Sequence, residues 1–437
     1  FFLFGCAVFL VLGFSVGLTA RVPMIDFKPI YLSARCLIEH GDPYSESDMT
    51  RVYQAQKSIP YANTEVMREA GTRIIYLPTV FLIAVPFAIL PWNAAHVLWM
   101  MLVVGSILVA AFLMWSTAAD YAPIISGILT GLFIANSEVL IVLTNAAGVA
   151  VGLCVVAVWC LLRERFVAAG VLCLAISLAI KPQDGGLVWL YFFLAGGLYR
   201  KRALQTLAAT LAIGLPGVLW VSLAVPNWIT EWRANILAFS TNGGLVDPAR
   251  GGRNVAETLV NLQRVTCALW SDPHIYNAAA YLFCAPLLLA WMFFVLCSKP
   301  SPASAWLALA AIAPLSLLPV YHHIYDAKLL LLTVPACAML WKKGGSTAKL
   351  ALLVNVAALA LAGDLSFALL LASARSLAGG LSGPMKVALE AMPIPLGLYI
   401  LSMFYLWIFM RNYSTHDLAA GTTERSRVPS LQSECNP

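Results

Sequence analysis

Asp26, Lys181 and the pair His322-His323 are the residues whose types and positions could do chemistry in this chain. Asp26 stands just past an N-terminal apolar run, in Asp26-Phe27-Lys28-Pro29-Ile30-Tyr31, and the segment continues to Gly41-Asp42-Pro43-Tyr44. An ionisable group so close to a membrane surface is costly to keep and tends to mark function. An ionised carboxylate within hydrogen-bond reach of a hydroxyl can take its proton as the oxygen attacks a carbon centre. The structural alternative is a helix cap, because Asp is a favoured N-cap residue and a helix is expected near Lys28.

Lys181-Pro182-Gln183 closes an apolar stretch. A fixed cation there can stabilise developing negative charge, or the lysine can simply snorkel to the interface. His322 and His323 lie between two apolar runs, flanked by Tyr321, Tyr325, Asp326 and Lys328. Neighbours on a helix point about 100° apart, so at most one histidine faces a given site. That one could hold a phosphate or orient an acceptor, or be an interfacial structural residue. A divalent metal would need a third ligand, and Asp26 or Asp326 would have to supply it. Asp42, Glu65, Glu69 and Arg73 are secondary candidates in the first loop, and Asp42 before Pro43 also fits an ordinary turn.

The elements that position these residues follow from composition. Of 437 residues, 61% are hydrophobic and 11% charged, and the mean hydropathy is +0.82, whereas soluble domains carry about 25% charged residues. An all-α polytopic membrane protein is expected, and a soluble enzyme with a single anchor is excluded. About thirteen apolar stretches, from 1–20 to 391–411, approach the roughly 20 residues needed to cross a hydrocarbon core. Residues 1–20 resemble a signal peptide but offer no convincing small-residue cleavage site, and read as a first span.

The net charge of +6 comes mostly from Lys and Arg in short connections, where they set topology, so no nucleic-acid partner is expected. Positive residues at Arg163, Arg200, Lys299, Lys342 and Arg411 fall on alternate connections, which places those on the cytoplasmic side. Lys181, the segment 226–274, His322-His323 and the loop 371–390 then share the opposite side. Strict alternation puts Asp26 on the wrong face unless 95–162 contains a re-entrant pair or a merged span. Polar Asn136, Glu138 and Asn145 interrupt that stretch as a broken helix would. With that repair about 12 helices cross, and 1–411 is a single membrane domain.

Its two long loops, 21–73 and 226–274, lie on the extracytoplasmic side, and 412–437 reads as a polar, disordered cytoplasmic tail. Apolar residues at helical spacing in the first loop predict short helices along the membrane surface. Asn242-Gly243-Gly244 and Gly251-Gly252 make 240–253 either a lid or merely a mobile loop. Ten cysteines form no CxxC pair and no zinc spacing; a disulfide between Cys36 and Cys267 is conceivable and unsupported.

Taken in order, four stations resemble the GT-C superfamily of membrane glycosyltransferases, and within it glycosyltransferase family 87. They are Asp26-Phe27 with Tyr31 and Gly41-Asp42-Pro43-Tyr44, then Tyr76-Leu77-Pro78 leading to Pro86 and Leu90-Pro91, then Lys181-Pro182-Gln183, and last His322-His323. The family includes polyprenol-phosphate-mannose-dependent mannosyltransferases. The resemblance implies an inverting transfer, with Asp26 as general base, from a polyprenyl-phosphate sugar to a lipid or glycan acceptor. It implies no cofactor, and a site on the extracytoplasmic face of a bacterial cell membrane. Mannose is the default sugar, with arabinose or another pentose as alternatives.

On this reading Lys181, Gln183, His322, His323 and Arg264 would meet the donor phosphate, with Arg250 and Arg253 as further guanidinium candidates. Tyr31, Asp42, Tyr44, Tyr76 and Asp326 would contact substrate. Where the family carries an Asn-x-Ser-Leu-like element this chain has Asn261-Leu262-Gln263-Arg264, which leaves the acceptor open. A transporter or flippase for lipid-linked sugars, and a non-catalytic envelope-assembly subunit, are the competing classes. A transporter should place its ionisable groups near mid-membrane.

Overall fold

The computed structural model describes residues 1–19, 26–56, 59, 70–240, 244, 246–248, 258–299, 301–378 and 392–425. Glu65, Glu69, Arg250, Arg253 and most of 240–253 lie outside the described residues. Among the described residues the regular structure is helical, and the one β-pairing is an isolated antiparallel bridge between Leu259 and His323.

Among the described residues, six helices are long and apolar enough to cross a membrane: Phe2–Thr19, Trp92–Ala119, Pro123–Leu143, Gly197–Ala224, Pro273–Cys297 and Pro393–Tyr413. A seventh is gained if Gly345–Leu361 and Asp364–Ser373, bent by 80°, count as one span. Several of these helices turn leucines outward, among them Leu3, Leu223, Leu282 and Leu289. Such apolar surface suits lipid rather than water.

The expected twelve crossings would have to draw on shorter apolar helices, and a run of apolar residues cannot tell a lipid-facing helix from one buried by protein. Pro302–Ser316 is such a case, with every residue from Ala305 to Ser316 buried. Thr79–Ala88, Ala146–Leu162, Val167–Ile180 and Pro302–Ser316 are apolar but only 10–17 residues long, roughly 15–25 Å. The last helix runs Pro393–Arg425, so the expected tail begins by continuing it.

Small residues let these helices approach closely. A Cβ on Gly5 would lie 2.2 Å from the Gly131 carbonyl oxygen, and one on Gly152 would lie 2.8 Å from Ser106. One large buried apolar cluster runs from Phe2 to Phe409, and a second, small one joins Phe239 and Val246.

Two helix breaks meet inside this core. The Pro123–Ala135 helix stops before Val139–Leu143, where Asn136, Ser137 and Glu138 interrupt the pattern, and the other break is the 80° bend. Lys328, wholly buried, donates to the carbonyls of Asn136 and Ala362 and to Asp364 Oδ1, each at 3.1 Å. Asp364 Oδ2 in turn accepts the Val139 N–H. The ammonium thus satisfies carbonyls that both breaks leave exposed.

Two helices fill the described part of the first loop, Phe27–Ile38 and Glu46–Ala55. Phe27–Ile38 is buried on nearly every side, with Phe27 stacked on Trp92 and Trp99. Arg35 donates to the Ala88 carbonyl at 3.1 Å and Tyr31 to that of Leu90 at 2.9 Å, which ties this helix to the end of Thr79–Ala88. In the second loop, Trp228–Ser240 is pinned to the first: Trp232 Nε1 donates to Ile75 O and Asn235 Nδ2 to Tyr44 O. Cys36 and Cys267 are both free thiols.

Candidate active site

Where the two loops meet the bundle there is a cavity of about 420 Å³. Its polar wall carries Asp26, Lys181, Gln183, Tyr76, His323 and Arg73, and its apolar wall includes Ile75, Leu77, Leu143, Ile180 and Phe239. The stations around Asp26, Tyr76, Lys181 and His323 therefore converge, although they are far apart in sequence.

Asp26 precedes the Phe27–Ile38 helix, yet its carboxylate caps nothing there. Oδ2 instead accepts from Asn145 Nδ2 at 2.8 Å, and the backbone N–H donates to Leu143 O at 3.3 Å. Asn145 is held in register by its second role: as N-cap of Ala146–Leu162, its Oδ1 accepts the Ala147 N–H at 2.7 Å. The amide can then present only its NH₂ to Asp26. Between these two contacts Thr144 sits at φ +50°, a strained conformation for a β-branched residue, and the Trp99 indole holds its carbonyl at 2.9 Å. Burial pushes the Asp26 carboxyl up to about 6, against the lowering effects of the Asn145 hydrogen bond and the nearby Lys181.

If Asp26 serves as a general base it must be ionised, and activity should then rise with pH through about 6. Asn145→Ser keeps a favoured N-cap but cannot reach Asp26. We expect it to fold normally and to move the acidic limb of kcat/KM to higher pH, since the lost hydrogen bond favours the ionised form. An unmoved limb would separate Asn145 from Asp26.

Lys181 lies at the joint between Val167–Ile180 and Pro182–Leu194. Proline at position 182 has no N–H and pushes the residue before it out of helical backbone, and Lys181 accordingly has φ −142°, ψ 85°. Its buried ammonium is 2.5 Å from Asp326 Oδ1 and 3.8 Å from Asp184 Oδ2. Asp326 Oδ2 also accepts the His323 N–H at 2.8 Å. His322 Nε2 lies 3.1 Å from Asp184 Oδ1, an ion-pair distance without hydrogen-bond alignment.

The histidines are not on a helix: His323 sits in the isolated bridge, and neighbours on extended backbone point to opposite sides. His323 lines the cavity, while His322 is fully buried behind it against Asp184. Both His323 ring nitrogens are engaged, Nδ1 by Thr258 Oγ1 at 2.7 Å and Nε2 by the Tyr321 hydroxyl. Burial pushes the imidazole down to about 4, so it is neutral at pH 7. Tyr76, Tyr321 and Tyr325 line the same wall, and burial raises all three phenols, which stay protonated.

Other expected contacts lie elsewhere. Arg264 is buried away from the cavity, with Nη1 donating to Pro248 O at 2.6 Å, so its guanidinium braces the second loop. Tyr31 packs on Trp92. Asp42 Oδ1 accepts the Tyr44 N–H at 2.8 Å, the ordinary turn. Tyr44 hydrogen-bonds the Tyr76 carbonyl at 3.0 Å and braces a lining residue from behind. Asp326 acts through Lys181 rather than at the cavity surface.

Asp184 and the Asn145–Asp26 contact escape a reading by motif. Asp184 stands three residues after Lys181, one helical turn, and that spacing is the signal that could have found it. Among the described residues no group of three or more His, Cys, Asp or Glu side chains is placed to hold a metal. No protein-family model, curated protein or solved structure matches the chain, so its function is to be argued from these residues.

Proposed function

We propose that the chain is an inverting membrane glycosyltransferase of GT-C type. It moves a sugar, by family likeness mannose, from a polyprenyl-phosphate donor to a lipid or glycan acceptor on the extracytoplasmic face of a bacterial cell membrane. The observation that carries this reading is Asp26. Among the described residues it is the one carboxylate on the cavity wall, and it is freed from capping and raised toward neutrality. A carboxyl group poised near the working pH is what a general base needs. Direct displacement requires one such base, whereas a covalent two-step route requires a second carboxylate on the wall.

The apolar wall suits a prenyl chain, and the buried tyrosines can hydrogen-bond sugar hydroxyls. The acceptor hydroxyl loses its proton to Asp26 as its oxygen attacks the anomeric carbon, and the lipid phosphate leaves. No cofactor is needed. A transporter or flippase for lipid-linked sugars, the competing class, would move the same substrate without breaking its glycosyl–phosphate bond. The test is to give radiolabelled polyprenyl-phosphate mannose to membranes that express the chain. A new labelled lipid or glycan, missing from control membranes, is expected; label that stays on the donor contradicts the reading.

A further inference from the structure

The polar end of the cavity is more acidic than a phosphate site should be. Asp26 is on the wall, and Asp184 and Asp326 lie behind it with the Lys181 ammonium between them. Three carboxylates thus face one lysine. A phosphate drawn to Lys181 would compete with Asp326 and Asp184 for the ammonium and would meet the like charge of three carboxylates.

Arg73 is the other Lys or Arg side chain on the wall among the described residues. It pairs with Glu46 at 3.1 Å, on side chains 26% and 41% exposed. A pair in that setting contributes little and exchanges readily. The guanidinium fork also matches phosphate oxygens in a way an ammonium does not.

We propose that Arg73, exchanging Glu46 for the ligand, binds the phosphate of the donor, and that Lys181 remains a positioning residue held by Asp326. This rests on the polyprenyl-phosphate-sugar reading. In the transfer step the bond from the anomeric carbon to the phosphate oxygen breaks with its electron pair on that oxygen. The acceptor oxygen bonds to the carbon, and its proton passes to Asp26. The phosphate gains one negative charge, which Arg73 meets.

Binding of farnesyl phosphate and of farnesol to the purified full chain in nanodiscs tests this without turnover. The native protein should prefer the phosphate. Arg73→Gln should lose about tenfold or more of the phosphate affinity and bind farnesol unchanged, which also reports its folding. Glu46→Gln, which removes the Glu46 carboxylate from competition for the guanidinium, should bind the phosphate more tightly. Unchanged phosphate binding in Arg73→Gln overturns the assignment alone. If Arg73→Gln fails to fold, Arg73→Lys decides: it keeps the charge and loses the fork, and unchanged phosphate affinity overturns the assignment. A native protein that shows no preference for the phosphate overturns the donor reading and the assignment with it.

Discussion

Asp26→Asn is expected to leave the protein folded and to cut sugar transfer by about 10²–10⁴-fold, the usual worth of a general base. The substitution is nearly isosteric, and an amide oxygen can still accept from Asn145 Nδ2, which lies 2.8 Å from the carboxylate. The backbone N–H to Leu143 is untouched. What is lost is the capacity to take a proton. If the residue served only as a helix cap, Asn would replace it at little cost, because Asn caps as well as Asp. Near-native turnover of the purified variant would therefore remove Asp26 from the chemistry.

The pH dependence follows from the same group. Burial holds the carboxyl up at about 6, above the roughly 3.9 of an unfolded chain. Between those values the folded protein binds more protons than the unfolded one, so stability falls as pH rises through the window. Above about 6 the cost is fully present, and below about 4 it is gone. Asp26→Asn should accordingly match or exceed native thermal stability at pH 7, with the difference shrinking towards pH 4.

Lys181→Met should have the largest effect on stability, a loss of about 3–5 kcal/mol, because breaking a buried pair leaves an uncompensated charge. The lysine is buried, with Asp326 at 2.5 Å and Asp184 at 3.8 Å, and neither carboxylate gains another cation when it is removed. Adding Asp326→Asn to Lys181→Met should recover part of the loss by neutralising the nearer orphan. Unfolding midpoints in detergent for the single and double variants read this directly. Native-like stability of Lys181→Met would mean that the ammonium merely reaches the interface.

Sequence reveals a residue when its cost is visible locally, and hides it when its partner is distant. Asp26, Lys181 and His323 stand out because ionisable side chains beside apolar runs demand a reason, and all three meet at the cavity. Tyr31 and Arg264 are polar residues near those landmarks, but a sequence cannot say which side of a helix buried all round faces a site. The Lys328–Asp364 pair spans 36 positions, and no periodicity announces it. Apolarity alone does not separate a lipid-facing helix from a buried one for the same reason, since Pro302–Ser316 is buried from Ala305 to its end.

The central claim is most directly tested with the purified chain in lipid vesicles, a polyprenyl-phosphate mannose of defined anomeric configuration labelled with ¹³C, and a membrane extract as acceptor source. The readout is the anomeric configuration of the labelled product. The account predicts that label leaves the polyprenyl phosphate and appears in a glycoside of inverted configuration. Label that remains on the donor in the presence of folded protein, or a product of retained configuration, would contradict it.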